Sequence, residues 1–275
     1  MTFDIDTLAT ILRDAAKAEI MPRFRRLDAG DIREKTSAID LVTEADESAE
    51  RFIKDACAGA FPDALFVGEE SVAADPALLP RIGEAELSIV VDPIDGTANY
   101  AMGAPMFGVM AAVVSKERTV GGIIYDPLGD DFMIAERGAG SFLVRPDGER
   151  QRLRVAAPAP VEELFGVASS SFLPREQRRL LLQRLADIRV FANYRTAAHE
   201  YRLMASGHVH FQFYLKLMPW DHLAGSLLIE EAGGHVRKLD GSPYLPTDVD
   251  GGLLTAPDAE TWQAVRTLIG TDITA

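Results

Sequence analysis

The amino-acid sequence predicts an α/β protein in which helices cover sheets. Strand-like and helix-like segments alternate from residue 166 to 232, and residues 64–144 contain several short apolar runs typical of strands. The chain has 275 residues, of which 47% are apolar and 25% are charged. It is therefore long enough to build a large core, as one domain or as two closely packed lobes.

The first quarter of the chain predicts two helices separated by a polar segment. Apolar residues at helical spacing indicate a helix within the first 20 residues, which Pro22 ends. Residues 30–41 are polar and indicate a loop or hairpin. Thr43, with Asp46 three positions later, has the pattern of a capping box, and the helix that it opens should stop before Pro62.

Short strands should dominate the following section. Residues 64–67 predict a strand that leads into Gly68-Glu69-Glu70-Ser71, and residues 72–86 predict an irregular connection. The apolar run 87–91 predicts a buried strand that ends at Asp92. Further strands are predicted at 107–115, 120–125, 132–136 and 141–144.

A polar segment with three prolines, residues 146–161, is the candidate boundary between an N-terminal lobe, 1–145, and a C-terminal lobe, 162–275. Beyond it the pattern alternates, and the last helix should end at Gly233-Gly234. The strands are predicted at 166–169, 189–192 and 209–214, and the helices at 175–186, 196–206 and 221–232.

Composition narrows the class of protein. The net charge of −14 argues against nucleic-acid binding as the main activity. Such binding would require a basic face on the surface of the protein. No apolar run approaches the roughly 20 residues that span a bilayer, and the N-terminus lacks a signal-peptide pattern, so we expect a cytoplasmic protein. Cys57 is the single cysteine, which excludes an internal disulfide and a cysteine-rich zinc site.

The most informative stretch runs from Asp92 through Pro93, Ile94, Asp95 and Gly96 to Thr97. Proline stiffens the turn, and glycine lets a ligand approach the backbone. An isoleucine between two aspartates is poorly explained by a solvated turn. Two carboxylates followed by free N–H groups and a hydroxyl could hold Mg²⁺ against a phosphate.

Acidic residues stand at four element ends and could converge on one cleft: Glu69 and Glu70, Asp92 and Asp95, Asp46, and Asp221. Several carboxylates without cysteine indicate a hard cation, Mg²⁺ first. Asp46 and Asp221 have the alternative role of helix capping, and one of the two glutamates that of a solvated loop residue. The His208-x-His210 pair is a weak zinc candidate beside so many oxygen ligands.

Taken together, these residues resemble the inositol monophosphatase family of Mg²⁺-dependent, lithium-sensitive sugar phosphatases. The resemblance runs from about residue 5 to Gly234, in family order and spacing. It rests on Lys35, the segment Asp40 to Asp46, Gly68-Glu69-Glu70-Ser71, Asp92 to Thr97, and Trp220-Asp221. It implies a single domain with a layered αβαβα sandwich, a homodimer, and hydrolysis of a phosphate monoester by metal-activated water with two to three Mg²⁺ ions.

The resemblance also assigns roles by position. Glu69, Asp92 and the carbonyl of Ile94 would hold the first ion, and Asp92, Asp95 and Asp221 the second. Glu69 with Thr97 would orient and deprotonate the water, aided by Asp46, and Lys35 would lie near the metals. The N–H groups of Gly96 and Thr97 would hold phosphate oxygens, while Glu70 matches a neighbour outside the metal ligands. Substrate contacts would come from Arg195, Thr196, Ala197, Tyr214, Lys216 and Asp221.

The substrate side departs from the inositol-specific pattern. Arg195 stands where those members have a glycine, and Tyr214 where they have a glutamate; His199 and Lys216 lie close by in the sequence. The added cations favour a substrate with a second anionic group, or a planar ring stacked on Tyr214, and the alternative is that Arg195 and Lys216 are solvated.

Several functions therefore remain candidates. The first is hydrolysis of inositol monophosphate or a related sugar or polyol phosphate. Histidinol phosphate and fructose 1,6-bisphosphate are alternative substrates. The segment Ala98-Asn99-Tyr100 disfavours 3′-phosphoadenosine nucleotides as substrates. The last is a non-enzymatic anion-binding or partner-binding module on the same fold.

Overall fold

Two large sheets and a small hairpin organise residues 3–37 and 40–273, which the computed structural model describes. The strands are β1 (Ile32–Ser37), β2 (Asp40–Thr43), β3 (Leu65–Gly68), β4 (Ser88–Asp95), β5 (Gly108–Ser115), β6 (Arg118–Asp126), β7 (Asp131–Glu136), β8 (Gly140–Val144), β9 (Arg150–Arg152), β10 (Phe165–Ala168), β11 (Val190–Ala192), β12 (Phe211–Tyr214), β13 (His235–Lys238) and β14 (Leu253–Ala256). The helices are α1 (Ile5–Ala15), α2 (Glu44–Ala60), α3 (Glu69–Ala74), α4 (Arg81–Glu84), α5 (Thr97–Ala101), α6 (Arg175–Arg184), α7 (Ala197–Ala205), α8 (Pro219–Glu231) and α9 (Ala259–Ile269).

The first large sheet has seven strands in chain order, from β3 to β9. Its first two strands are parallel, and every later pair is antiparallel. The second sheet has the order β11-β10-β12-β14-β13, in which β10 is parallel to both neighbours and the other pairs are antiparallel. β1 and β2 form a separate antiparallel hairpin.

The buried side chains divide into three clusters that define five layers. Ile89 and Val91 of β4 belong to the cluster of α1 and α2, whereas Val90 faces the cluster of α7 and α8. This alternation is that of a strand with helices on both faces of its sheet. The α7–α8 cluster also includes Val167 of the second sheet, whose opposite face packs on α6 and α9. The predicted αβαβα sandwich is thereby confirmed.

Most predicted elements are present. The polar segment 30–41 contains the β1–β2 hairpin, and the first helix continues as a π-helical turn over Ala16–Ile20. The connection 72–86 is more ordered than predicted, because it includes the end of α3, a 3₁₀ turn and α4. The sequence patterns missed β9 and the last three elements, β13, β14 and α9.

The first sheet ends at β9, which lies inside the predicted boundary segment 146–161, and the second sheet begins at β10. The helix α8 belongs to the second half of the chain and yet packs on β4, β5 and β6 of the first sheet. The division into lobes 1–145 and 162–275 therefore stays a prediction.

Candidate metal and phosphate site

The parallel pairing of β3 with β4 brings two acidic segments together. In the register, Gly68 is opposite Val91, so Glu69 and Asp92 leave adjacent strands at the same edge of the sheet. Such an edge is where α/β sheets place ligands. The pairing of these two short apolar strands therefore places both carboxylates at one edge of the sheet.

The turn after Val91 is built as its residue types require. The Asp92 side chain accepts a hydrogen bond from the backbone N–H of Ile94 at 2.9 Å, which folds the turn back on itself. Gly96 has a φ of 87°, which a glycine adopts without strain. A Cβ there would approach the carbonyl oxygen of Met106 and the Cβ of Thr196, each at 3.0 Å.

Three carboxylates meet at this turn. Asp92, Asp95 and Asp221 each offer an oxygen, and these oxygens lie within 4.8 Å of one another. Asp92 and Asp95 are almost fully buried. Asp221 reaches the cluster because α8 begins two residues earlier, at Pro219.

The electrostatics of the cluster are unfavourable without a cation. Burial raises the pKa of Asp92 well above its usual range, and the charges of Glu69 and Asp95 raise it further. Burial also raises the pKa of Asp221, where Glu69 adds to the effect and Lys216 opposes it. Packing like charges at this distance in a buried site is costly unless a cation shares them.

Glu69 lies beside the three-acid cluster and is paired with Lys35. The Lys35 Nζ is 2.8 Å from Glu69 Oε1 and 2.5 Å from Glu70 Oε1. Burial lowers the pKa of Lys35, but the two glutamate charges outweigh it and raise the value overall. For Glu70, burial and the Glu69 charge raise the pKa to about 7. Glu69 itself lines the cavity with Asp92 and Asp95.

Asp46 has two roles at once. Its Oδ2 accepts hydrogen bonds from the backbone N–H of Thr43 at 2.8 Å and from the Thr43 hydroxyl at 2.5 Å, which closes the predicted capping box. Its Oδ1 is 3.1 Å from the hydroxyl oxygen of Thr97, which is also 2.9 Å from the carbonyl oxygen of Ile94. Burial raises the pKa of Asp46 to about 7.

Asp95 is held by the N-terminus of α7. Its Oδ1 accepts from the N–H of Ala197 at 3.0 Å, and its Oδ2 accepts from the N–H of Ala198 at 2.8 Å and from the Thr196 hydroxyl. These bonds lower the pKa of Asp95, but burial is the larger effect and raises it. Thr196 and Ala197 are predicted substrate contacts; their polar groups also contact Asp95, and their substrate role stays a prediction.

A cavity of about 450 Å³ opens over these residues. Its lining includes Glu69, Asp92, Asp95 and Thr97, and also Phe172, Arg195, Tyr214 and Lys216. The predicted site residues Ile94, Gly96, Thr196, Ala197 and Asp221 also line it, whereas Lys35 and Asp46 are not part of the lining. His199 lies outside the lining, with its Nε2 3.0 Å from the carbonyl oxygen of Phe107.

Tyr214 faces a buried glutamate that the sequence patterns missed. Its hydroxyl donates to Glu200 Oε2 at 2.8 Å, and Glu200 Oε1 accepts from the N–H of Tyr194 at 2.8 Å. Burial raises the pKa of Glu200 to about 7. The Tyr214 ring packs against His222, with ring centroids 4.6 Å apart, and Tyr214 is 5% exposed, which leaves little of it for a stacked ligand.

A second missed residue is Glu50 of α2. Its Oε2 accepts from the N–H of Glu70 at 2.7 Å, and its Oε1 accepts from the N–H and hydroxyl of Ser71 at 2.7 and 2.6 Å. A Cβ on Gly68 would come within 2.2 Å of the Glu50 carboxyl carbon, so the glycine makes this approach possible. Its spacing of four residues from Asp46, on one helix face, is the signal that could have found it.

Comparison with known proteins agrees with this geometry. The sequence profile described as inositol monophosphatase family matches residues 4–269. The chain belongs to the inositol monophosphatase family. It is 30% identical over 228 residues to the fructose-1,6-bisphosphatase/inositol-1-monophosphatase of Thermotoga maritima, covering 81% of this chain and 80% of the relative. It is 31% identical over 256 residues to the Nus factor SuhB of Haemophilus influenzae, covering 90% and 89%.

Solved structures give the same family fold. The chain is similar to the extragenic suppressor protein SuhB of Bartonella henselae, with a TM-score of 0.81, 25% identity, and coverage of 98% and 99%. It is similar to the IMPase of Thermotoga maritima, with a TM-score of 0.80, 27% identity, and coverage of 97% and 99%.

The donor set fits a hard divalent cation. All the side-chain ligands on offer are carboxylate oxygens, and burial and mutual repulsion raise the pKa values of Asp92 and Asp221. The ammonium group of Lys35 is held by the two glutamates, and that of Lys216 lines the same cavity. The acidic cluster of this family member could therefore bind metal. Which ion it binds, and how many, belong to the proposal below.

Proposed function

We propose that the chain is a Mg²⁺-dependent phosphomonoesterase that acts on a small sugar or polyol phosphate, with two to three ions in the cavity. The observation that supports it best is the trio of Asp92, Asp95 and Asp221, whose carboxylates converge next to the free N–H end of a glycine turn. A phosphate monoester needs both features, because its charge requires cations and its oxygens accept hydrogen bonds.

The residues would divide the work as follows. Asp92, Asp95 and Asp221, with Glu69 and the carbonyl of Ile94, would hold Mg²⁺. When bound, Mg²⁺ would neutralise the phosphate, activate a water and stabilise the leaving oxygen. The assignment of each ligand to a particular ion stays a prediction.

Thr97, whose hydroxyl contacts Asp46, would orient the attacking water. The Thr97 hydroxyl carries one proton and has two acceptors, Asp46 Oδ1 and the Ile94 carbonyl, within 3.1 Å. Donation to either leaves its lone pairs facing the cavity, where they can accept from water. Glu69 would take the proton, and Lys35 would hold Glu69 in position.

The substrate phosphate would lie over the start of α5. The N–H groups of Gly96 and Thr97 begin this helix, and the cavity leads directly to them. A bound substrate would displace water from the cavity, which strengthens the hydrogen bonds that remain.

The test is phosphate release from a panel of monoesters, with and without Mg²⁺. The panel would include inositol 1-phosphate, fructose 1,6-bisphosphate and histidinol phosphate, and the matched variants are Asp95→Asn and the exposed Asp147→Asn. We expect Mg²⁺-dependent release by the parent and by Asp147→Asn, and near-complete loss in Asp95→Asn. Near-normal activity of Asp95→Asn would overturn the site assignment.

A binding role without hydrolysis is the second candidate. Relatives of comparable identity carry the name Nus factor SuhB, which describes no hydrolytic activity. Release of no phosphate from any ester, together with a calorimetric signal for Mg²⁺, would favour it. The low expectation for nucleic-acid binding stays a prediction that a filter-binding assay with RNA can check.

Two further expectations accompany the proposal. A homodimer is predicted, and light scattering coupled to size-exclusion chromatography would measure it. A cytoplasmic location is predicted, and cell fractionation would test it. In the described ranges, none of the helices is both long and apolar enough to cross a bilayer.

A further inference from the structure

We propose that Arg195 and Lys216 form a subsite for a second anionic group on the substrate, in the same cavity as the predicted metal ligands. This inference rests on the proposed phosphatase function. It concerns the part of the substrate that the predicted metal ligands and the glycine turn would not bind.

Both cations are available to a ligand. Arg195 and Lys216 line the cavity and are exposed, and the ion pairs found among residues 3–37 and 40–273 include neither of them. The one ring contact of Lys216 is with Phe172, whose centroid is 5.4 Å from the Lys216 Nζ. Phe172 is itself 51% exposed, so it supports the ammonium group from one side and leaves the other side open.

The backbone of Arg195 has a conformation that costs free energy in a residue with a Cβ. Its φ is 58°, in the left-handed region that favours glycine. The N–H of Arg195 donates to Asn193 Oδ1 at 3.0 Å within the same turn. Five non-glycine residues in the described part of the chain have a positive φ, and of these five Arg195 is the one that lines the cavity.

The acid that neighbours the two cations in the lining is already occupied. Glu200 is 3% exposed, and it accepts from the N–H of Tyr194 and from the hydroxyl of Tyr214. The lining also includes neutral serine and asparagine side chains. Its two cationic side chains, Arg195 and Lys216, suit a phosphate or a carboxylate.

Arg195 and Lys216 are each close in sequence to a residue of the predicted metal site or to one that contacts it. Arg195 directly precedes Thr196, whose hydroxyl bonds Asp95. Lys216 and Asp221 both line the cavity. One small molecule could therefore span both the predicted metal ligands and the two cations.

The experiment compares matched substrates that differ by one phosphate. The first pair is fructose 1,6-bisphosphate and fructose 1-phosphate, and the second is inositol 1,4-bisphosphate and inositol 1-phosphate. The quantity measured is kcat/KM for the bisphosphate divided by kcat/KM for the monophosphate. We expect a ratio well above one in at least one pair, and a decrease of that ratio by about tenfold in Arg195→Gly and in Lys216→Gln, as for loss of one charge-assisted hydrogen bond.

Controls separate recognition from folding. Arg195→Gly relieves the left-handed conformation, so its Tm should be no lower than that of the parent while its ratio falls. Arg179→Gln removes an equal charge from the exposed face of α6, outside the cavity lining, and should leave the ratio unchanged. Added salt should shrink the ratio of the parent, because exposed charges are screened.

Two results would overturn the subsite. One is a ratio near one for the parent in both pairs, and the other is a ratio that neither variant changes; phosphate release would stand in both cases. If the parent hydrolyses none of the four esters, the proposed function fails instead, and the ratio of their dissociation constants, measured by calorimetry, then decides the subsite by the same criteria.

Discussion

Glu50 is predicted to position Glu69, itself a predicted metal ligand, without touching the metal. It is 4% exposed, and its carboxylate accepts three hydrogen bonds from Glu70 and Ser71, in the first turn of α3. That turn carries Glu69. A helix of six residues has little stability of its own, so its orientation depends on such contacts.

The perturbation is Glu50→Gln, which keeps the shape of the side chain. The amide oxygen can still accept from Ser71, but the amide NH₂ would then face the N–H of Glu70. A buried donor left without an acceptor costs about 1–3 kcal/mol. If about 2 kcal/mol of this cost is paid by loosening α3, the affinity for metal falls by roughly thirtyfold.

The assay is calorimetric titration with Mg²⁺ and Mn²⁺, beside thermal melts of the metal-free protein. Ser71→Ala is the matched control, because it removes one bond to Glu50 and leaves both N–H donors paired; we expect an effect of about threefold or less, as for a single hydrogen bond of about 0.5 kcal/mol. Metal affinity within twofold of the parent in Glu50→Gln, with an unchanged Tm, would refute the positioning role.

Three further predictions concern buried acids. Asp92→Asn should relieve repulsion in the metal-free protein and raise its Tm by about 2–4 °C per kcal/mol gained, while stabilisation by Mg²⁺ in the same melts disappears. Burial raises the pKa of Glu200 from 4.5 to about 7, so the stabilisation by its neutral form is complete below about pH 4.5 and is lost as the pH rises through 7. Denaturant melts should therefore show the parent losing about 3 kcal/mol relative to Glu200→Gln between these pH values, and parallel curves would contradict it. Tyr214→Glu should lower the Tm at pH 8, because it removes the hydroxyl that donates to Glu200 at 2.8 Å and adds a second carboxylate near this buried acid; an unchanged Tm would show that the pocket accommodates two acids.

The metal half of the site was predictable because it depends on local patterns. The buried strand before Asp92, the glycine turn and the capping box of Thr43 and Asp46 are each encoded within a few residues. The structure contains these elements, although β4 continues to Asp95, and it places Asp92, Asp95 and Asp221 together as predicted. The catalytic and binding roles of these residues stay predictions until activity is measured.

The substrate half was less predictable because its groups are paired over long distances. Glu200 reads in sequence as a polar residue of a helix, and its pairing with Tyr214 depends on how α7 packs beside β12. The contact of Thr196 with Asp95 joins residues 101 positions apart. No local period or cap signals such a pair, and the elements after residue 234 likewise lacked a motif that would have directed attention to them.

The pairing of Asp95 with α7 has a consequence for how this family member could change its substrate. The same helix end that would meet the substrate, at Arg195 and Thr196, supplies three hydrogen bonds to a predicted metal ligand. A substitution that displaces this helix end would weaken metal binding together with substrate binding. Lys216 and Phe172 line the cavity, and replacing them would not displace the end of α7. These two side chains can therefore vary without a loss of metal binding. Substrate preference should therefore change most readily at those positions, and at Arg195 only through replacements that tolerate its positive φ.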